Sequence, residues 1–296
     1  MSTSLENALS RRSVDTAALV AEDPVHRNGR FLMFRLAYVM AWFFTVTPTL
    51  MAMLWALERL KLPGRRTLFP LYYRALTRLL RVRIHVAGAP SQGRPTLILS
   101  NHVSWLDILV LSSICPISFV AKKEVAGWPI VGPTARLQHT VFVDRTRRHQ
   151  TAEVNAEIAA RLAEGDPVVL FAEGTSNDGN RVLGFHSALV GAVAKVDAEH
   201  EVLLQPVSIA YTRTQGLPMG RQHRPLTAWY GEMDFVPHFK EFVRRGAVDV
   251  IVTFAEPVAY GVGSNRKRLT ETIEAEVRKL TAAALRDRPL VVPKPV

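Results

Sequence analysis

The chain opens on polar residues of mixed charge and then changes character abruptly. Residues 1–30 show no apolar periodicity, which predicts a mobile N-terminal tail. From Leu36 to Leu57 no charged residue occurs for 22 positions, LAYVMAWFFTVTPTLMAMLWAL. A bilayer core of ~30 Å needs about 20 apolar residues, so this stretch is long enough to span. Pro48 near its middle predicts a kink, either within one transmembrane helix or at the bend of a hairpin that enters one leaflet and returns. A buried helix of a soluble domain is the third reading. Between Leu68 and Leu80, Leu68, Leu71, Tyr72, Ala75, Leu76, Leu79 and Leu80 stand against Arg74 and Arg78, with Arg81 just beyond. That is the pattern of a basic amphipathic helix, suited to an anionic membrane surface or to packing on a domain with its arginines in water.

Beyond Arg83 short strand-like runs alternate with helical patterns. Strands are expected at Ile84–Val86, Thr96–Leu99, Ser118–Ala121, Thr140–Val143, Val168–Phe171, Leu203–Ala210 and Val248–Phe254, and helices near Trp105–Ser112, Thr151–Leu162, Ser187–Val196 and Leu269–Leu285. The alternation predicts an α/β fold, a mixed sheet flanked by helices, preceded by the membrane-associating helical segment. The expected division is a tail over 1–30, a membrane-associating region over 31–82 and an α/β domain over 83–296. Tyr211 to Lys240 breaks the rhythm and reads as an insertion beside the site.

Charge sharpens this picture. The 37 Lys and Arg residues outnumber 26 acids, giving a formal net charge of +11, which favours an anionic partner. Arg59, Lys61, Arg65, Arg66, Arg74, Arg78, Arg81 and Arg83 follow the uncharged run closely, so the positive-inside rule keeps the bulk of the chain cytoplasmic. The uncharged run argues against a nucleic-acid partner. Cys115 is the only cysteine and excludes an intrachain disulfide. The first 30 residues lack the apolar core of a cleavable signal.

Three stretches carry chemistry. The first is Ser100-Asn101-His102-Val103-Ser104-Trp105-Leu106-Asp107, at the end of an apolar strand. Five residues within one helix turn by about 500°, which would not stack the two side chains. With His102 in the loop and Asp107 in the first turn of the helix, the carboxylate folds back onto the ring, giving a general base and its orienting acid. The competing reading is a helix-capping loop in which Ser104 or Asn101 caps and His102 is incidental. The second stretch is Val168–Arg181, a buried strand ending in Glu173-Gly174-Thr175 and a loop rich in donors. It lacks the Gly-Lys-Ser/Thr of a nucleotide phosphate loop. The third is Thr140–Arg148, where Asp144-Arg145 ends a strand and Arg145 is suited to anchor a phosphate or carboxylate.

Asn101-His102 with Asp107, Phe142-Val143-Asp144-Arg145, Phe171-Ala172-Glu173-Gly174-Thr175 and Pro206 together resemble the ordered blocks of the glycerolipid acyltransferases. These are the 1-acylglycerol-3-phosphate acyltransferases and their lysophospholipid relatives. The resemblance covers roughly Ile84 to Phe254. It implies attack of a lysolipid hydroxyl on a fatty acyl thioester, carried by coenzyme A or acyl carrier protein. His102 then takes the hydroxyl proton and Asp107 orients it. Arg145, Glu173, Gly174 and Thr175 position the acceptor head. No covalent acyl-enzyme is implied, in keeping with the lack of a G-x-S-x-G elbow, and no metal or other cofactor is called for. The implied partners are membrane lipid, the lysolipid acceptor and the acyl carrier, at the cytoplasmic face of the cell inner membrane.

Two positions depart from the family pattern. Ser176 stands where an arginine commonly follows Glu-Gly-Thr, and Ala172 replaces a proline. Arg181 is placed to substitute for that arginine, or the acceptor carries a different head. The first expectation for the acceptor is 1-acylglycerol-3-phosphate and the alternative is lyso-ornithine lipid, because Ser176 resembles the residue in some bacterial enzymes that acylate it. The rival classes are a thioester hydrolase and a basic membrane-binding protein without catalysis.

Overall fold

The computed structural model describes residues 29–144, 151–188, 190–191, 202–261 and 264–286. The uncharged run forms most of one continuous helix, α1 (Gly29–Arg59), of 31 residues and therefore about 46 Å long. The chain passes through Pro48 without reversing, so the hairpin form is not adopted. Among the described residues, α1 is a helix long and apolar enough to cross a membrane. One face is docked on the protein along its length. Arg35 donates to the Val243 carbonyl, Trp42 stacks on Tyr72 with centroids 5.5 Å apart, and Thr47 shares a buried 2.7 Å hydrogen bond with the Tyr72 hydroxyl. The other face leaves Met33, Phe34, Tyr38, Phe44, Met53 and Trp55 exposed.

Helix α2 (Arg65–Leu79) starts earlier than its apolar pattern suggested and buries Phe69, Tyr72, Tyr73 and Leu76. Its arginines do different jobs. Both Arg74 and Arg78 are exposed, but Arg74 also donates from Nε to the Ser113 carbonyl at 2.8 Å. There it satisfies a carbonyl left open at a helix C-terminus.

Strands β1 (Val82–Ala87) and β2 (Thr96–Ser100), helix α3 (Leu106–Ile114), β3 (Ser118–Lys122), α4 (Val131–Leu137), β4 (Val141–Val143), α5 (Thr151–Ala163) and β5 (Val168–Phe171) follow. Then come β6 (Val202–Thr214), β7 (Leu217–Pro218), α6 (Phe235–Arg245), β8 (Val248–Phe254), β9 (Val258–Tyr260) and α7 (Arg266–Leu285). The sheet order is β1-β8-β6-β2-β5-β3-β4, with β7 and β9 added to β6. β2 runs parallel to both β5 and β6, while β6 and β8 are antiparallel, so the sheet is mixed. Alternate residues of β2 serve opposite faces, as strand pleating requires. Ile98 faces the core shared with α1, α2, α3 and α6, and Leu97 and Leu99 face the core under α5 and α7. The division expected at residues 82/83 falls inside one of these continuous cores.

One expectation is corrected. Tyr211 does not begin an insertion: β6 continues to Thr214, because Tyr211 is a buried core residue paired with Val250. The turn-forming residues that break the rhythm come after the strand. Of the helix expected over Ser187–Val196, most lies outside the described residues.

The end of the sheet opposite His102 is fastened by charge. Asp166 pairs with Arg65 and Arg66 of α2, the latter at 3.2 Å, and lies 3.5 Å from His139 Nδ1. Burial would raise this carboxyl, but His139, Arg65 and Arg66 outweigh it and hold it at about 2.

Candidate active site

The register of the central strands assembles the site. β2 and β5 are parallel neighbours, with Ser100 opposite Phe171, so the loops that follow them leave the sheet side by side. One begins Asn101-His102 and the other Ala172-Glu173. The ladder runs one step further, from Ala172 N–H to the Ser100 carbonyl at 3.1 Å. Crevices beyond the carboxyl ends of parallel strands are where open α/β sheets hold ligands.

His102 and Asp107 are brought together as the loop-and-first-turn reading required. The His102 Nδ1–H donates to Asp107 Oδ2 at 2.8 Å. The same oxygen accepts from the backbone N–H groups of Val103 and Ser104, at 2.7 and 2.9 Å. Asp107 therefore both ties down the backbone of the loop before α3 and orients the ring, while the helix itself has no side-chain cap. Asp107 is fully buried, and the His102 side chain is 21% exposed. With Nδ1–H committed to the carboxylate, Nε2 is left to accept a proton. Phe171 stacks on the imidazole with centroids 4.0 Å apart and a 15° interplanar angle. Phe119 stacks behind it at 6.0 Å. One ring face is thus shielded and its plane fixed.

Glu173 is buried beside this pair. Its Oε2 accepts from Asn177 Nδ2 at 2.6 Å, and the same amide nitrogen donates to the His102 carbonyl at 3.2 Å. Among the described residues, Glu173 Oε1 is buried with no hydrogen-bond partner. Burial pushes this carboxyl up to about 7, against the pull of Asn177 and the nearby backbone, with the Asp107 charge adding to the rise. A buried carboxyl with an open oxygen beside a histidine is the kind of group found where ligands are held. Gly174 adopts φ +69°, and a Cβ there would sit 3.1 Å from His186 Cδ2, so the glycine meets a backbone and a space requirement together.

The remaining expected residues are less enclosed. Thr175 and Arg181 are exposed, and the Thr175 hydroxyl reaches only the neighbouring Ser176 carbonyl at 3.4 Å. Burial raises the Asp178 carboxyl, but the Asn180 hydrogen bonds and then the charge of Arg181 outweigh it and lower its pKa. Arg145 lies outside the described residues. Lys123 is exposed and pairs with Asp144 at 3.5 Å.

Sequence reasoning offered Asn101 as a helix cap and as part of the Asn-His block, and it placed Tyr211 outside the strand. Asn101 clasps the backbone of Ile209 and Tyr211 donates its hydroxyl to Asp107 Oδ1 at 2.7 Å. Both reach across more than 100 residues, and only the sheet register brings them there.

A sequence profile of the Acyltransferase family matches residues 81–210, which contain both loops. A lyso-ornithine lipid O-acyltransferase from Brucella abortus (strain 2308) is 48% identical over 233 residues, 78% of this chain and 87% of that protein. The chain belongs to the Acyltransferase family. A second lyso-ornithine lipid O-acyltransferase, from Rhizobium meliloti (strain 1021), is 44% identical over 77% of this chain and 80% of its own. The crystal structure of the 1-acyl-sn-glycerophosphate (LPA) acyltransferase PlsC from Thermotoga maritima superposes with a TM-score of 0.61 at 20% identity, covering 90% of this chain and 99% of that one. This acyltransferase therefore shares that fold, a mixed α/β sheet flanked by helices.

Proposed function

We propose that this acyltransferase moves a fatty acyl group from a thioester to the free hydroxyl of a lyso-ornithine lipid, with His102 as general base. The reaction rests on one observation: His102 Nδ1 is held by buried Asp107 while the ring stays partly open at the end of β2. An alcohol is far too weak an acid to ionise at pH 7, so the base must act as the bond forms. Nε2 takes the hydroxyl proton as the oxygen attacks the thioester carbonyl. The tetrahedral intermediate then collapses and expels the thiolate, which receives the proton from the imidazolium. Asp107 stabilises the imidazolium between these two transfers.

The acceptor rests on the relatives named lyso-ornithine lipid O-acyltransferase, together with Ser176 after Glu-Gly-Thr. Ornithine linked through one amine keeps a carboxylate and a second amine. Such a head asks for one cationic and one anionic partner, whereas a phosphate monoester asks for cations. Arg181 and Asp178, close enough to interact, offer that pairing beside Glu173, Gly174 and Thr175. Arg145, two residues after β4 in the sequence, is the second cation proposed for the head. The donor is acyl-CoA or acyl-acyl carrier protein, both cytoplasmic, and no further cofactor takes part. The exposed apolar face of α1 and the basic residues after it support attachment to the cytoplasmic face of the inner membrane.

The test is transfer of a labelled acyl group by membranes bearing the protein, to lyso-ornithine lipid and to 1-acylglycerol-3-phosphate in parallel. The expected result is a higher kcat/KM for lyso-ornithine lipid. The reverse order would return the acceptor to glycerol phosphate. Free fatty acid released equally with and without lysolipid would make the protein a hydrolase.

A further inference from the structure

The loop before α3 gives Asp107 two partners through the backbone N–H groups of Val103 and Ser104 and one through His102, all on Oδ2. Its other oxygen, Oδ1, is met from a different part of the fold. Tyr211, 104 residues away on β6, donates its hydroxyl there at 2.7 Å. Both side chains are buried, Asp107 at 0% and Tyr211 at 3% exposure, so bulk water cannot replace the bond.

The placement of this hydroxyl is specified twice. β2 and β6 are in register through Ser100 and Val207. Past the end of β2, Asn101 holds both the N–H and the carbonyl of Ile209. Residues two apart on a strand share a face, so fixing Ile209 also aims Tyr211 at the site. Val207, Ile209 and Tyr211 face the same core cluster, and two of the three are aliphatic. A phenylalanine would fill the third position equally well by volume. What tyrosine adds is an O–H, and in a core an O–H is costly without a partner.

We infer that Tyr211 is a positioning residue for acyl transfer: its hydroxyl holds Asp107 and thereby sets how strongly His102 takes up a proton. This rests on His102 being the base. A hydrogen bond to a carboxylate spreads its charge and weakens its pull on the imidazolium. Without it, Oδ1 is buried and unpartnered, the full charge acts on the ring, and the His102 titration midpoint rises. A base that binds its proton too tightly is occupied at working pH and returns the proton slowly. Burial, then the charge of Asp107 and the hydrogen bond to it, raise the Tyr211 pKa well above its usual value, so the phenol stays protonated and remains a donor. A further titratable group close to this pair is Glu173, from the loop after β5, which feels the Asp107 charge. It is present in wild type and variant alike, so its effect cancels in their difference.

The experiment compares wild type with Tyr211→Phe in detergent, using ¹⁵N-histidine NMR titration, with the His102 signal assigned by its loss in His102→Gln. The expected result is a midpoint raised by about half a unit to one unit, about half of what a lost hydrogen bond to the charged group itself is worth, because the bond is to Asp107 and not to the ring. The acid limb of kcat/KM moves with it, and kcat falls by about tenfold while KM for the lysolipid changes by less than about twofold. In an Asp107→Asn background the same substitution is expected to cost less than about twofold, because its route is gone. An unmoved midpoint, or an equal loss in both backgrounds, overturns the inference. If Tyr211→Phe fails to fold, 3-fluorotyrosine placed at 211 keeps the shape and strengthens the donor. The midpoint must then fall, and an unchanged one overturns the inference. The NMR arm needs no turnover, so failure of the base assignment is read separately, from activity of the His102 variant.

Discussion

The Asn101 side chain clasps the backbone of Ile209: Nδ2 donates to the carbonyl at 2.9 Å, and Oδ1 accepts from the N–H at 2.8 Å. β2 ends at Ser100, so a side chain supplies the next rung of the β2–β6 ladder just where the backbone turns away to present His102. Asn101→Ala leaves two buried backbone groups of Ile209 without partners. A loss of about 2–4 kcal/mol in unfolding free energy is expected, measured by denaturant titration. The acyl-transfer rate should fall as well, since the same residue fixes the start of the catalytic loop. A stability change under about 0.5 kcal/mol would mean that Ile209 finds other partners.

The dyad was legible because it is local. Five residues separate His102 from Asp107, and strand-end and helix-start signals together predict the fold-back. The strands were legible for the same reason: Val168–Phe171 and Val248–Phe254 are short apolar runs with clear breaks. Asn101 and Tyr211 were not, since each acts across more than 100 residues through a register that no local pattern encodes. Tyr211 was misassigned because the rhythm breaks shortly after it, and a strand boundary read from composition shifts easily by a few residues. The docking of α1 was also hidden. Its apolar residues surround the helix, and only contacts such as Thr47 with Tyr72 separate the docked face from the exposed one.

Glu173 should make stability depend on pH in the opposite sense to an ion-paired acid. Its carboxyl is raised from 4.5 to about 7, chiefly by burial. The associated stability is present below pH 4.5 and is lost as pH rises through about 7. Glu173→Gln removes the titration. Thermal melts should show the variant gaining about 1–3 kcal/mol on wild type between pH 5 and pH 8, while acyl transfer drops. Parallel stability curves across that range would contradict a buried, raised carboxyl.

Asp166 should behave in the reverse way. Held at about 2 against a usual 3.8, it contributes stability above about pH 4 that is lost as pH falls through about 2. Asp166→Asn is expected to cost about 2 kcal/mol at pH 7, and the difference should shrink in acid melts between pH 4 and pH 2. A cost independent of pH would show that packing, not charge, accounts for it.

The central claim is that His102, oriented by Asp107, accepts the acceptor's proton. The most direct test is the initial rate of labelled acyl transfer to a lysolipid by purified His102→Ala, with folding verified by its melting curve. A loss of about 10²–10⁴-fold is predicted, the scale of a missing general base. A folded His102→Ala protein that transfers acyl groups at close to the wild-type rate would contradict the account.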